Sequence, residues 1–358
     1  MNIRIRITNI QKQLHNYGID GLLITKKENR QYATGFTGSA GVVLISADQA
    51  VFITDFRYVD QAKSQIKDAE IIMHKGNLEK EIAHQVSKLN IQKLGIEENN
   101  MTLQQYKNLQ KYVQAEMIQV CEIIENIRII KDTPEIETMK IAANIADEAF
   151  HHILTFLKPG ISENAVRDEL EFFMRKKGAT SSSFQIIVAS GVRSSLPHGV
   201  ASNKIIERGD IVTLDFGALY DGYCSDITRT VAIGEPSEEF KKIYNVVREA
   251  LKRGTEAIKP GETAKSIDDI TRDYITEHGY GQYFGHSTGH GLGLEIHEPL
   301  RLSQESKVTL QEGMVVTVEP GIYIPNWGGC RIEDDIVITK EGYEVITKSN
   351  RELIVIPC

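Results

Sequence analysis

Four acidic residues stand inside runs that otherwise read as apolar strands: Asp215 in LDFG, Asp226 in SDITRT, Glu319 in VEPG and Glu333 in RIEDD. A carboxylate among Val, Ile and Leu is costly unless a partner compensates it, and two that share a face repel. Asp221-Gly222 is a strong two-residue hairpin turn, because both residue types accept positive φ. With that turn, residues whose numbers sum to 443 oppose one another. Asp215 then faces Thr228, and Asp226 lies two residues along on the same face; a one-step shift of the turn would set the two aspartates directly opposite. Either way a cation between them resolves the repulsion. The run GHSTGHGLGLEIHE (285–298) adds His286, His290 and His297, and its glycines at 285, 289, 291 and 293 predict a loop or irregular strand rather than a helix. One imidazole with four carboxylates exceeds a single catalytic zinc shell and is poor in nitrogen for zinc. The set suits two hard or borderline divalent ions, such as manganese or cobalt, whose charge the four acids balance. The chemistry this implies is metal-assisted hydrolysis.

These residues recur in a diverged repeat. KPGISENA (158–165) and KPGETAKS (259–266) each open a helix, ending near Gly178 and Gly279, at a common offset of 101. GDIVTLDFG (209–217) matches GMVVTVEPG (313–321) at 104, which sets Asp215 on Glu319, and Asp226-Ile227 falls on Glu333-Asp334 at 107. Two copies of helix, helix and hairpin predict a pseudo-twofold domain with its hairpins facing. Arg331, two residues before Glu333, shares its face, while Asp334 points away. A helix with an apolar stripe from Ile136 to Leu157 opens this domain, with Thr133 as N-cap and Pro134 at the first position. Upstream, short Val/Ile-rich runs (21–25, 41–46, 50–54, 70–74) alternate with helix-like stretches near 56–68, 78–89 and 102–114, a small α/β domain. The expected boundaries are 1–127 and 128–358.

The whole chain, 358 residues with 41 Lys plus Arg against 49 Asp plus Glu, carries a formal charge of -8. Without a basic run, it offers no electrostatic case for binding nucleic acid. No apolar stretch reaches the length that spans a bilayer, and the first twenty residues alternate polar and apolar types without the core of a signal peptide. Four cysteines (121, 224, 330, 358) lack metal or disulfide-framework spacing, so a reduced, cytoplasmic protein is expected. Cys224 and Cys330 read as small buried residues.

LDFG, SDITRT, GHSTGHGLG, VEPGIY and RIEDD together resemble the five-ligand signature of the "pita-bread" metallopeptidases, and the chain is similar to the Xaa-Pro peptidases among them, prolidase and aminopeptidase P. TGFTGSAG (34–41) and TDFRYVDQA (54–62) extend the resemblance to the creatinase-like N-terminal domain. It implies an N-terminal α/β domain and an α+β pita-bread (creatinase/aminopeptidase) catalytic domain. It also implies that Asp226 and Glu333 bridge two divalent metals, that Asp215 completes one shell, and that His290 and Glu319 complete the other. Manganese is the first choice of metal, with cobalt, iron or zinc as alternatives. Glu319 would shuttle a proton, His198 would approach the substrate, His297 would steady the tetrahedral intermediate, His286 would line the proline pocket, and Arg331 would support the ligands or the substrate. Substrates would be dipeptides or short peptides with proline second, and the protein a homodimer. Dipeptidase and aminopeptidase remain alternatives, because the carboxylate-binding cation of a dipeptidase falls on either Arg301 or Lys307. A methionine aminopeptidase, a metal-free amidinohydrolase and a metal-free binding module are the rival readings.

Overall fold

The computed structural model describes residues 3–358. Two compact units divide at Arg128/Ile129. The first is built on a six-stranded mixed sheet in the order Glu70–Met73, Ala50–Thr54, Val42–Ser46, Gly21–Ile24, Lys93–Glu97, Glu116–Val120. The last two strands carry Lys93, Glu97, Glu116 and Gln119, so they do not announce themselves as apolar runs. The N-terminal stretch folds as the helix Ile3–Leu14 despite its strand-like alternation, because Ile7, Ile10 and Leu14 fall on one buried face.

In the second unit, helices Thr133–Phe156 and Glu163–Lys176 precede one set of strands, and Glu238–Ala257 and Ala264–Glu277 precede another. The helix that opens this unit is capped by Asp132 rather than Thr133. The Asp132 carboxylate accepts from the Glu135 N–H while the Glu135 carboxylate accepts from that of Asp132, a closed capping box that sets Pro134 one place further in. The first half carries a four-stranded sheet with Ile211–Phe216 beside Ile227–Ile233, and the second a five-stranded sheet with Val315–Val318 beside Asp334–Ile338. Each sheet packs its helices over its own apolar cluster, one around Phe150, Leu170 and Leu214, the other around Ile243, Val247 and Val316.

The first hairpin has the expected register. Asp221 and Gly222 form the turn at φ 47° and 85°, and Thr228 opposes Asp215. In the second hairpin Val318 opposes Asp334 and Gly321 opposes Arg331, a constant sum of 652. The offset between the second strands of the two hairpins is therefore 105, not 107. One extra residue in the 325–327 loop accounts for the step from 104 to 105. In strict register Glu333 occupies the place of Thr228, and Arg331 that of Asp226. The repeat thus puts an arginine, not an acid, at the counterpart of Asp226.

Candidate active site and metal centre

Facing hairpins and the glycine-rich run enclose a cleft of about 520 Å³, lined by Asp215, Asp226, His290, Glu319 and Glu333, with His198, His286, His297, Arg301 and Arg331. Asp215 is the penultimate residue of the strand Ile211–Phe216, and Asp226 precedes Ile227–Ile233. His290 sits at the centre of the short strand Gly289–Gly291. That strand needs glycine, since a Cβ on Gly289 would lie 1.9 Å from the Thr317 carbonyl oxygen. The close passage brings His290 over the carboxylates. Its Nδ1–H donates to the Gly291 carbonyl at 3.0 Å, which leaves Nε2 as the lone-pair nitrogen, 3.6 Å from Asp226 Oδ2 and 3.7 Å from Glu319 Oε1.

Ligand-type atoms of Asp226, His290 and Glu333 all lie within 4.8 Å of one another. Asp226 Oδ1 is buried and has no hydrogen-bond partner among the described residues. Burial, reinforced by mutual repulsion with neighbouring acids, holds the carboxyls of Asp226 and Glu333 well above their ordinary range, and pushes Glu319 up to about 7. A converging, oxygen-rich set with an unpartnered buried oxygen and strained ionisation fits divalent cations. Asp215 differs from the others: it forms a buried ion pair with Arg331, which already offsets its charge.

Arg331 lines the cleft, but its donors are committed. Besides Asp215 they reach Tyr323 Oη at 2.6 Å, Thr228 Oγ1 at 3.0 Å and the Pro197 carbonyl at 3.2 Å. Thr228 in turn donates to Glu333 Oε2 at 2.6 Å. Tyr323 accepts from Arg331 and donates to His286 Nε2 at 2.9 Å, while His286 Nδ1–H donates to the Ser287 carbonyl. A relay of hydrogen bonds therefore runs from Asp215 to Ser287 with every role fixed. Sequence reasoning does not single out Thr228 or Tyr323; the register that pairs Thr228 with Asp215 was the available signal for the first.

Burial, with the Arg331 charge added, lowers His286 to about 4, and burial with His290 lowers His297 to the same value. His286 should therefore remain neutral across the physiological range, with its imidazole C2 proton unshifted in an NMR titration from pH 8 down to about 5. A group with a depressed basic pKa stabilises the fold fully above the unfolded value of 6.5 and loses that contribution as pH falls through about 4. Titration of His286 near 6.5 would contradict the relay. His198 and His297 are exposed on the cleft rim, and the His297 ring lies edge-on to His290 at 4.4 Å. Arg301 also lines the cleft, in the strand Glu298–Leu302 opposite His290, and makes no ion pair among the described residues; Lys307 is not part of the lining. Cys224 and Cys330 are buried free thiols, and burial pushes Cys330 up to about 12. Trp327 packs toward Phe240 in the hairpin loop, away from the cleft lining.

Comparison with known proteins agrees with this architecture. Residues 137–340 match metallopeptidase family M24, and residues 6–130 match the creatinase/prolidase N-terminal domain. An Xaa-Pro dipeptidase of Pyrococcus furiosus is 42% identical over 98% of this chain and 99% of its own. The structure of an Xaa-Pro dipeptidase from Bacillus anthracis superposes with a TM-score of 0.98 at 58% identity, covering 99% of this chain and 100% of that one. An X-Pro aminopeptidase from Thermotoga maritima does so at 0.91 with 40% identity, covering 96% and 99%. With the paired hairpins, the clustered acids and these matches across both units, the chain belongs to metallopeptidase family M24, with the pita-bread catalytic fold and the N-terminal domain of the creatinases and prolidases.

Proposed function

We propose that this metallopeptidase hydrolyses the Xaa-Pro bond of dipeptides, using two divalent metals held by Asp215, Asp226, His290, Glu319 and Glu333. The observation that carries the reading is the convergence of Asp226, His290 and Glu333 around an unpartnered buried carboxylate oxygen. Similarity to Xaa-Pro dipeptidases over nearly the full chain supports the substrate class. The oxygen-rich donor set favours manganese over zinc. We assign catalysis to a domain spanning 128–358 and infer a homodimer. The four free cysteines favour a reducing, cytoplasmic setting. No helix among the described residues is long and apolar enough to cross a membrane.

When bound, the cations supply activation of water and polarisation of the scissile carbonyl. The remaining work falls to side chains. Proline offers no amide N–H, so the proline side of the cleft needs no acceptor for it and can be apolar, as Phe184, Ile187 and Val200 make it. His286, kept neutral beside Tyr323, closes that wall without a charge to solvate. Glu319 takes a proton from the attacking water and passes it from its carboxyl to the departing proline nitrogen. Neutral His297 and the imidazole of His198, both on the rim, donate hydrogen bonds to the carbonyl oxygen as charge develops there. Arg301 receives the free carboxylate of a dipeptide, a role that a longer peptide would leave unfilled.

Rates on an Xaa-Pro dipeptide and an Xaa-Pro-Xaa tripeptide, with manganese and after chelation, test this reading. The dipeptide should be the better substrate, and the chelator should remove at least 99% of the rate, restored by added metal; that loss is about 2.7 kcal/mol of transition-state stabilisation, the lower bound of several kcal/mol expected from metal catalysis. Preference for the tripeptide would overturn the dipeptidase assignment, and activity that survives chelation would overturn the metal reading.

A further inference from the structure

The two half-sheets of the catalytic unit are separate ladders, yet Asp226 leads into a strand of one, Ile227–Ile233, and Glu333 into a strand of the other, Asp334–Ile338. Their spacing depends on the seam between them. Direct links cross it near the ligands: the Glu333 N–H donates to the Thr228 carbonyl at 3.1 Å, Thr228 Oγ1 donates to Glu333, the Asp226 N–H donates to Asp335 Oδ2 at 2.9 Å, Thr230 Oγ1 donates to the Arg331 carbonyl at 2.8 Å, and Arg331 reaches back to Asp215 and Thr228. A further connector, set behind these, is Arg229, which is 1% exposed and does not line the cleft. All five of its N–H donors find acceptors. Nη1 reaches the Thr228 carbonyl at 2.9 Å and the Glu333 carbonyl at 2.5 Å, Nη2 reaches Asp334 Oδ1 and the Ser349 carbonyl at 2.8 Å each, and Nε reaches the Asn350 carbonyl at 3.0 Å. One planar group thus ties both halves and the C-terminal segment together. From the far side Arg351 Nε holds Asp334 Oδ2 at 2.5 Å, and buried Asp147 fixes Ser349 through its N–H at 2.7 Å and its hydroxyl at 2.5 Å.

A buried ion pair is weak as a source of stability, since apolar residues of similar volume often serve as well. Its geometry is what an apolar pair cannot copy. A lysine could not copy it either, because three donors at one point do not reach five acceptors spread around a plane. We propose that Arg229, with Asp334 as its counter-ion, is a positioning residue that sets the distance between Asp226 and Glu333 and so the spacing of the two cations. The proposal rests on the reading of those acids as metal ligands.

Arg229→Lys in the full chain is the primary test, with Asp334→Asn as a milder second variant. Phe150→Leu, in the apolar cluster of the first half, is the control for lost stability alone. Metal-free protein is titrated with cobalt(II) by calorimetry, the visible spectrum of the cobalt form is recorded, and kcat and KM are measured on an Xaa-Pro dipeptide. Both seam variants should bind the second cobalt equivalent about 10- to 100-fold more weakly, as expected when an outer partner of a ligand is lost. Their cobalt spectra should shift, and kcat should fall about tenfold or more with KM within about threefold, while Phe150→Leu lowers Tm and moves none of these. Should Arg229→Lys fail to fold, Asp334→Asn decides. Unchanged cobalt affinity and spectrum in the folded seam variants would overturn the positioning role. A parent protein that binds no cobalt would instead overturn the metal reading beneath it.

Discussion

Glu333→Gln is expected to lower the rate on an Xaa-Pro dipeptide by on the order of a thousandfold, while leaving the metal-free fold as stable as the parent or more so. The first effect follows from several kcal/mol of transition-state stabilisation that depend on metals held in place. The second follows from the site itself. Glu333 is 2% exposed, and its carboxyl is held well above its ordinary range by burial first and by Asp226, Glu319 and Asp215 after it. Without cations its charge opposes folding, and a neutral amide removes that opposition. Glutamine keeps an oxygen to accept from Thr228 Oγ1, so the hydrogen bond at 2.6 Å has a successor. Thermal unfolding with and without manganese separates the two effects: added metal should raise Tm in the parent much more than in the variant. A variant destabilised in the metal-free state would show Glu333 to be structural. Equal stabilisation by metal in both proteins would show that it is not a ligand.

Arg301→Gln should change which substrate is preferred. Among the described residues the free carboxylate of a bound dipeptide has one uncommitted guanidinium available in the cleft, that of Arg301, since Arg331 is spent on Asp215, Tyr323, Thr228 and Pro197. A charge-assisted hydrogen bond contributes about 1.5–3 kcal/mol, so kcat/KM for the dipeptide should fall about 10- to 100-fold. An Xaa-Pro-Xaa tripeptide has no carboxylate at that point, and its kcat/KM should stay within about twofold. Lys307→Ala, outside the lining, should alter neither. An equal loss on both peptides would remove Arg301 from carboxylate recognition.

The parts of this site that could be read from sequence were those set by short-range rules. Asp221-Gly222 determines its own turn, and with it the opposition of Asp215 and Thr228. The KPG openings of the two second helices mark their starts because each follows a carbonyl-terminated helix with a proline and a positive-φ glycine, at 160 and 261. The second hairpin shows where such rules stop. Matching acids by motif order puts Glu333 on Asp226, but register puts it on Thr228, since a three-residue loop in place of a two-residue one moves the second strand by one. Cap choice was similarly local but ambiguous, since Asp132 and Thr133 can both accept, and only the Glu135 partner selects Asp132. Which histidine meets the acids was not legible from spacing, because glycine at four of the surrounding positions removes any periodicity; the close passage of Gly289 over Thr317 decides it. Arg229 was invisible for a different reason. Four of its five acceptors lie more than 100 residues away in sequence, so nothing near it hints at its surroundings.

Titration of metal-free protein with manganese, following hydrolysis of an Xaa-Pro dipeptide at each addition, tests the central claim most directly. The rate should be near zero without metal and should rise to a plateau that breaks at about two equivalents, as expected for four carboxylates and one imidazole shared by two divalent ions. Hydrolysis that is independent of added metal, or its absence when two equivalents are bound, would contradict the account.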